Sequence, residues 1–299
     1  MIAADNISGI GTTGARFRGT TDRASVCDTH FHVLGPFSHF PLPLDSPYRP
    51  NEAPAEAYRK VASVLGISRM VVVQPACYGT DNAVTLSAIQ TLGADRTRGI
   101  ALIDDTATDV ELRRLHDGGI RAIRINAISD RGVDANLIKA RAAAVAELGW
   151  HIQLHALPAQ IVEYEAALKS LPVDVVIDHC GRIDPRAGQN QVPVAAILRL
   201  LDTGRVWVKL ISYRSLHPDS GKDAMQPFVE RFARAAPDKC LWGTDWPHVL
   251  TDAPPNTLEL LAELYRLIDD EALARRISNS NGCHLYRFDV SKQQIRVKQ

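Results

Sequence analysis

The chain has 299 residues, 45% of them hydrophobic, and balances 34 Lys plus Arg against 34 Asp plus Glu. Zero net charge gives no electrostatic ground for nucleic acid or an anionic membrane as partner, and no apolar run is long enough to span a bilayer. The N-terminus lacks the apolar stretch of a secretion signal, and Cys27, Cys77, Cys180, Cys240 and Cys283 are widely spaced without a CxxC pair, which argues against a disulfide framework or a cysteine-rich zinc site and for a cytoplasmic protein.

Residues 1–24, rich in Gly, Thr and Arg, read as a loose, disordered arm, and the end of the chain, residues 289–299, as a polar tail. Between them, residues 25–288 alternate short β-branched runs with longer segments of helical apolar spacing. Strands are predicted at 25–33, 69–75, 98–104 and 120–126, then at 151–157, 174–180, 205–211 and 240–246. Helices are predicted near 54–65, 82–93, 108–117, 136–148, 158–170, 192–202, 223–235 and 256–268, with a last one near 271–281. Asp81-Asn82, Thr108 and Asp134 supply helix starts. Gly118-Gly119 and Gly149 supply the left-handed residues that helix ends need. Eight strand–helix repeats predict an α/β fold, a distorted (β/α)8 barrel of the TIM type in a single domain. An open doubly wound sheet is the competing architecture, and no GxGxxG follows the first strand to support it.

In such a barrel the C-terminal ends of the strands carry the chemistry. The first strand, in CDTHFHVLGP, ends with His30 and His32, whose i, i+2 spacing points both rings the same way. Strand four ends with Arg124 and Asn126, strand five with His155, and strand six with Asp178 and His179. Strand seven gives Lys209, then Ser212, Tyr213 and Arg214, and strand eight gives Asp245 before Trp246-Pro247-His248. A lone strand histidine is usually a hydrogen-bonded core residue. His30, His32, His155, His179 and Asp245 at one rim are instead a candidate reaction centre.

An HxH on strand one, a histidine on strand six and an aspartate on strand eight resemble the amidohydrolase superfamily. The strings DTHFHVLGPFSHFPL, VVVQPACYGTDNAVTL, RGIALID, GGIRAIRIN, VIDHCGRIDPR and LWGTDWPH narrow the resemblance to its lactonase branch, which holds 2-pyrone-4,6-dicarboxylate lactonases and 4-sulfomuconolactone hydrolases. The resemblance implies hydrolysis of a small acidic lactone bearing carboxylate or sulfonate, of the kind met in aromatic-compound breakdown. It also implies that Arg124, Arg131 and Arg214 hold the acidic groups, since an arginine fork suits them. Arg182, Tyr48 and Thr80 are further substrate-binding candidates.

In this reading Asp245 takes a proton from water, His30 and His32 face the carbonyl oxygen, and His179 donates to it or shuttles a proton. Metal-bearing superfamily members ligate through the strand-one pair, a strand-five histidine and the strand-eight aspartate, here His30, His32, His155 and Asp245. That set suits one divalent ion, zinc before others. Pyrone dicarboxylate lactonases work without metal and carry tyrosine where this chain has His155, so a metal-free mechanism stays open. The rival readings are a decarboxylase of an acidic aromatic or muconate-like compound and a non-catalytic barrel that binds small acids.

Overall fold

The computed structural model describes residues 25–128 and 132–289. The N-terminal arm, the tail beyond residue 289 and Arg131 lie outside the described residues. Eight parallel strands follow one another in chain order: β1 (Val26–Phe31), β2 (Ile67–Val73), β3 (Thr97–Ala101), β4 (Ile120–Asn126), β5 (His151–His155), β6 (Val175–Ile177), β7 (Val206–Lys209) and β8 (Cys240–Leu241). The helices α1 (Ala55–Leu65), α2 (Ala83–Leu92), α3 (Asp109–Asp117) and α4 (Ala135–Ala146) alternate with them. So do α5 (Pro158–Lys169), α6 (Val192–Leu201), α7 (Gln226–Ala235) and α8 (Leu260–Ile268). This is the predicted (β/α)8 barrel. No helix among the described residues is long and apolar enough to cross a membrane.

Helix ends follow their local chemistry. The Thr108 side chain accepts from Glu111 N–H at 3.3 Å, and Asp134 Oδ1 accepts from Asn136 and Leu137 N–H at 2.9 and 2.8 Å. Both satisfy amides that a helix leaves open. Helix α7 buries Phe228, Val229, Phe232 and Ala233 on one stripe, and an apolar side chain of this size contributes about 1.5–3 kcal/mol when buried. Phe232→Ala in that stripe costs about 3–5 kcal/mol. Gly119 takes the left-handed conformation foreseen for it, but Gly118 stays right-handed at φ −72°.

The barrel closes between β1 and β8 through Thr29 N–H to Trp242 C=O at 3.1 Å, Asp245 N–H to His30 C=O at 2.7 Å and His32 N–H to Trp246 C=O at 2.7 Å. The Asp28 carboxylate staples this seam. Its Oδ1 accepts from His30 and Thr244 N–H, both at 3.0 Å. Its Oδ2 accepts from Thr244 Oγ1 at 2.6 Å and Tyr58 OH at 2.7 Å. Gly243 lets the strands approach, since a Cβ there would lie 2.8 Å from His30 Cβ. The same device cuts β8 short of the predicted 240–246, because the Thr244 amide goes to a side chain rather than to a ladder. Below the seam the barrel is filled by Cys27, Val71, Val73, Ile100 and Ala122, closed by Cys283, Tyr286 and Phe288 of the C-terminal segment. All five cysteines are free and buried, as small apolar side chains.

Candidate active site

The strand ends bring His30, His32, His179 and Asp245 into one buried cluster. His30 Nε2 and His32 Nε2 lie 3.6 and 3.4 Å from Asp245 Oδ1. The His179 ring stands 4.9 Å from that of His30 and 5.1 Å from that of His155. Four residues around the centre, His179, Cys180, Arg182 and Asp245, sit at φ between 50° and 54°. Non-glycine residues avoid this region, and such strain is held where function over-determines it.

Asp245 is clamped by its other oxygen. Oδ2 accepts from Tyr213 OH at 2.7 Å and Arg214 Nε at 2.5 Å. Burial works to raise the Asp245 carboxyl, but Arg214 and the neighbouring histidines outweigh it and hold it well below the usual range. Tyr213 OH also meets His248 Nδ1 at 3.1 Å, and His248 Nε2 meets Thr257 Oγ1 at 2.6 Å. Asp178 is the second buried carboxylate. Its Oδ2 accepts from Arg124 Nε and Nη2 at 3.1 and 3.0 Å and from Gln153 Nε2 at 3.0 Å. Burial raises this carboxyl too, and His30, Arg124 and Lys209 together hold it down. Two of the expected substrate arginines are therefore engaged by the site's own carboxylates.

The remaining candidates fall differently. Arg182 is half-buried beside Arg214 and Asp245, and no described residue accepts a hydrogen bond from it. With Tyr213 and Arg214 it lines a cavity of about 860 Å³ that opens beside the cluster. Tyr48 comes over the rim from the loop after β1, with its phenol against Cys77 and near Arg124, and burial pushes it up. Thr80 is exposed on the turn before α2, its carbonyl accepting from Asn82 Nδ2 at 2.8 Å. It lines neither this cavity nor the one of about 450 Å³ beside Tyr48 and His248.

Two groups of ligand atoms lie close enough together to share an ion: His30, His32 and Asp245, and His30, Asp178 and His179. The first fits a divalent ion by its chemistry. His32 Nδ1 faces the Val73 carbonyl at 2.8 Å. A carbonyl only accepts, so Nδ1 carries the proton and Nε2 offers its lone pair to the centre. His30 Nε2 is buried without a partner among the described residues. The separations of 3.4 and 3.6 Å suit edges of a tetrahedron around a zinc-sized ion. His155, expected as a fourth ligand, belongs to neither group. Its Nδ1 pairs with Asn126 Oδ1 at 3.0 Å and its ring packs on His179.

His30 Nε2, His155 Nε2, His179 Nδ1 and Asp178 Oδ1 are all buried without a hydrogen-bond partner among the described residues. Each such atom costs about 1–3 kcal/mol when nothing pairs with it, so each calls for a partner that a bound water or ligand can supply. Sequence reasoning gave no role to Asp28, Gln153, Lys209, Tyr213 or His248. The available signal for Gln153 and Lys209 was a polar group at an inward position of an otherwise apolar strand, which must find a buried partner.

Comparison with known proteins agrees with the fold. Residues 27–288 match the family model described as amidohydrolase. The chain is 34% identical over 266 residues to a 4-sulfomuconolactone hydrolase of Rhizobium radiobacter, covering 87% of this chain and 89% of that protein. It is 31% identical over 278 residues to a 2-pyrone-4,6-dicarboxylate hydrolase of Comamonas testosteroni, covering 88% and 90%. A solved structure of a probable 2-pyrone-4,6-dicarboxylic acid hydrolase from Acinetobacter baumannii, with citric acid bound, superposes with a TM-score of 0.79 at 29% identity, covering 88% of this chain and all of that one. A match along nearly the whole barrel, with both ends of the seam included, makes this chain a member of the amidohydrolase family.

Proposed function

We propose that the protein hydrolyses a small lactone carrying carboxylate or sulfonate groups. The observation that carries this reading is the Asp245 carboxylate, held rigidly by Tyr213 and Arg214 with its free oxygen toward His30 and His32. Relatives at 31–34% identity are named as hydrolases of such lactones, and the Acinetobacter structure was captured with a tricarboxylate.

Asp245 takes a proton from the attacking water. His30 and His32 face the carbonyl oxygen on which negative charge develops. The proton taken by Asp245 goes on to the ring oxygen as it leaves; His179, neutral because burial lowers it well below its usual range, relays it, accepting on one ring nitrogen as it gives from the other. Arg182 receives one acidic group of the substrate, and Arg124 and Arg214 offer their remaining N–H groups to another; Tyr48 and, from the sequence resemblance, Arg131 complete the set. An anion that shares the Arg214 charge loosens its grip on Asp245 and lets the carboxylate become more basic. Where a divalent ion is bound, His30, His32 and Asp245 hold it, and it supplies carbonyl polarisation and a more acidic water.

A panel of sulfonate- and carboxylate-bearing lactones, followed for both ring opening and released CO₂, tests the reading. Ring opening without CO₂ is expected. Release of CO₂ from acidic aromatic compounds establishes the decarboxylase instead, and binding without turnover establishes a non-catalytic barrel.

A further inference from the structure

Lys209 is wholly buried at the end of β7, directly beneath the reaction centre. Its ammonium has three protons to place. One goes to the Thr29 carbonyl at 2.8 Å. A second goes to Gln153 Oε1, whose orientation is fixed because Gln153 Nε2 donates to Asp178. For the third, His30 Nδ1 lies at 3.2 Å and Asp178 Oδ1 at 3.8 Å. The two choices have opposite consequences for His30. A proton given to Nδ1 leaves the imidazole's own proton on Nε2, facing Asp245 Oδ1 and the centre. A proton given to Asp178 lets His30 Nδ1–H donate to that carboxylate at 3.4 Å, and Nε2 then presents a lone pair.

The shorter contact decides between them. We propose that Lys209 is a positioning residue that keeps the His30 proton on Nε2, making His30 a hydrogen-bond donor to the centre and weakening the site's hold on a metal ion. The donor part rests on the hydrolase reading; the proton's location does not. His32 is set the other way by the Val73 carbonyl, so the two rings of one HxH pair present opposite faces: a donor and a lone pair. The ammonium also repels a dication held one imidazole away. Mutating the group that pairs with a ligating histidine's second nitrogen changes metal affinity by about 10–100-fold.

The test is the side-chain 15N–1H correlation spectrum of 15N-labelled protein stripped with chelator, with the His30 signals identified by their loss in His30→Gln. The wild type is expected to show His30 protonated on Nε2. Lys209→Met, which cannot donate, is expected to move the proton to Nδ1 and to bind Zn²⁺ about tenfold or more tighter by calorimetry. An Nδ1-protonated His30 in the wild type overturns the proposal, as does a Lys209→Met variant with unchanged tautomer or with equal or weaker zinc binding. Should Lys209→Met fail to fold, the wild-type spectrum alone decides. None of these readouts uses a substrate, so a failure of the lactone assignment is seen separately.

Discussion

Arg124→Met tests the pairing that the structure substitutes for a free substrate clamp. The Arg124 guanidinium is almost fully buried and gives two of the three N–H donors that Asp178 Oδ2 accepts. Removing it leaves a buried carboxylate with Gln153 and a more distant Lys209 ammonium at 3.8 Å. Breaking a buried pair on one side costs about 3–5 kcal/mol. At about 2–4 °C per kcal/mol for a domain of this size, the melting temperature should fall by roughly 6–20 °C. Arg124→Met with Asp178→Asn removes the stranded charge and should recover at least half of the loss, because the two sites couple. Denaturant melts of the two single variants and the double variant measure this coupling, and KM for an acidic lactone read alongside shows whether Arg124 also meets substrate. If Arg124→Met melts within about 0.5 kcal/mol of the parent, the size of an ordinary surface substitution, the pairing argument is wrong.

Tyr213→Phe removes one donor from Asp245 Oδ2 while leaving Arg214 in place. A carboxylate that loses a donor becomes easier to protonate, so the acid limb of kcat/KM should move up by about one pH unit; an unmoved limb contradicts the clamp. His151, buried at the start of β5 against the Tyr286 ring, is pushed down to about 3 by burial first and Lys209 second. It is neutral in the folded protein, so its contribution is complete above the unfolded value near 6.5 and is lost as pH falls from there toward 3. Between pH 7 and pH 4.5 the wild type should therefore lose about 2.5 kcal/mol more stability than His151→Phe, and equal losses in denaturant melts would sink the assignment.

The barrel was legible because short, mostly apolar runs alternate with segments of helical apolar spacing, and the starts of α3 and α4 carry their own capping side chains, Thr108 and Asp134. Where the strands stop was not legible. β8 ends at Leu241 because Asp28, some 200 residues earlier, captures the Thr244 amide, and nothing near LWGTDW announces that partner. His30, His32, His179 and Asp245 stood out as polar residues at strand ends, and the structure brings them together. The pairing of Arg124 with Asp178 and of Arg214 with Asp245 was hidden, since sequence shows that a buried guanidinium needs an anion but not whether the anion is substrate or protein. His155 shows the same limit. Its place at a strand end suggested a ligand; the structure pairs its Nδ1 with Asn126 on the neighbouring strand, packs its ring on His179, leaves its Nε2 buried without a partner among the described residues and puts it in neither close group of ligand atoms.

The most direct measurement is turnover and equilibrium binding of one acidic lactone by Asp245→Asn beside the wild type. Loss of the proton acceptor should lower kcat by about 10²–10⁴-fold while the lactone still binds with an affinity close to that of the wild type. Ring opening at the parental rate would show that the proton goes elsewhere and that the cluster beneath the barrel rim is not the reaction centre.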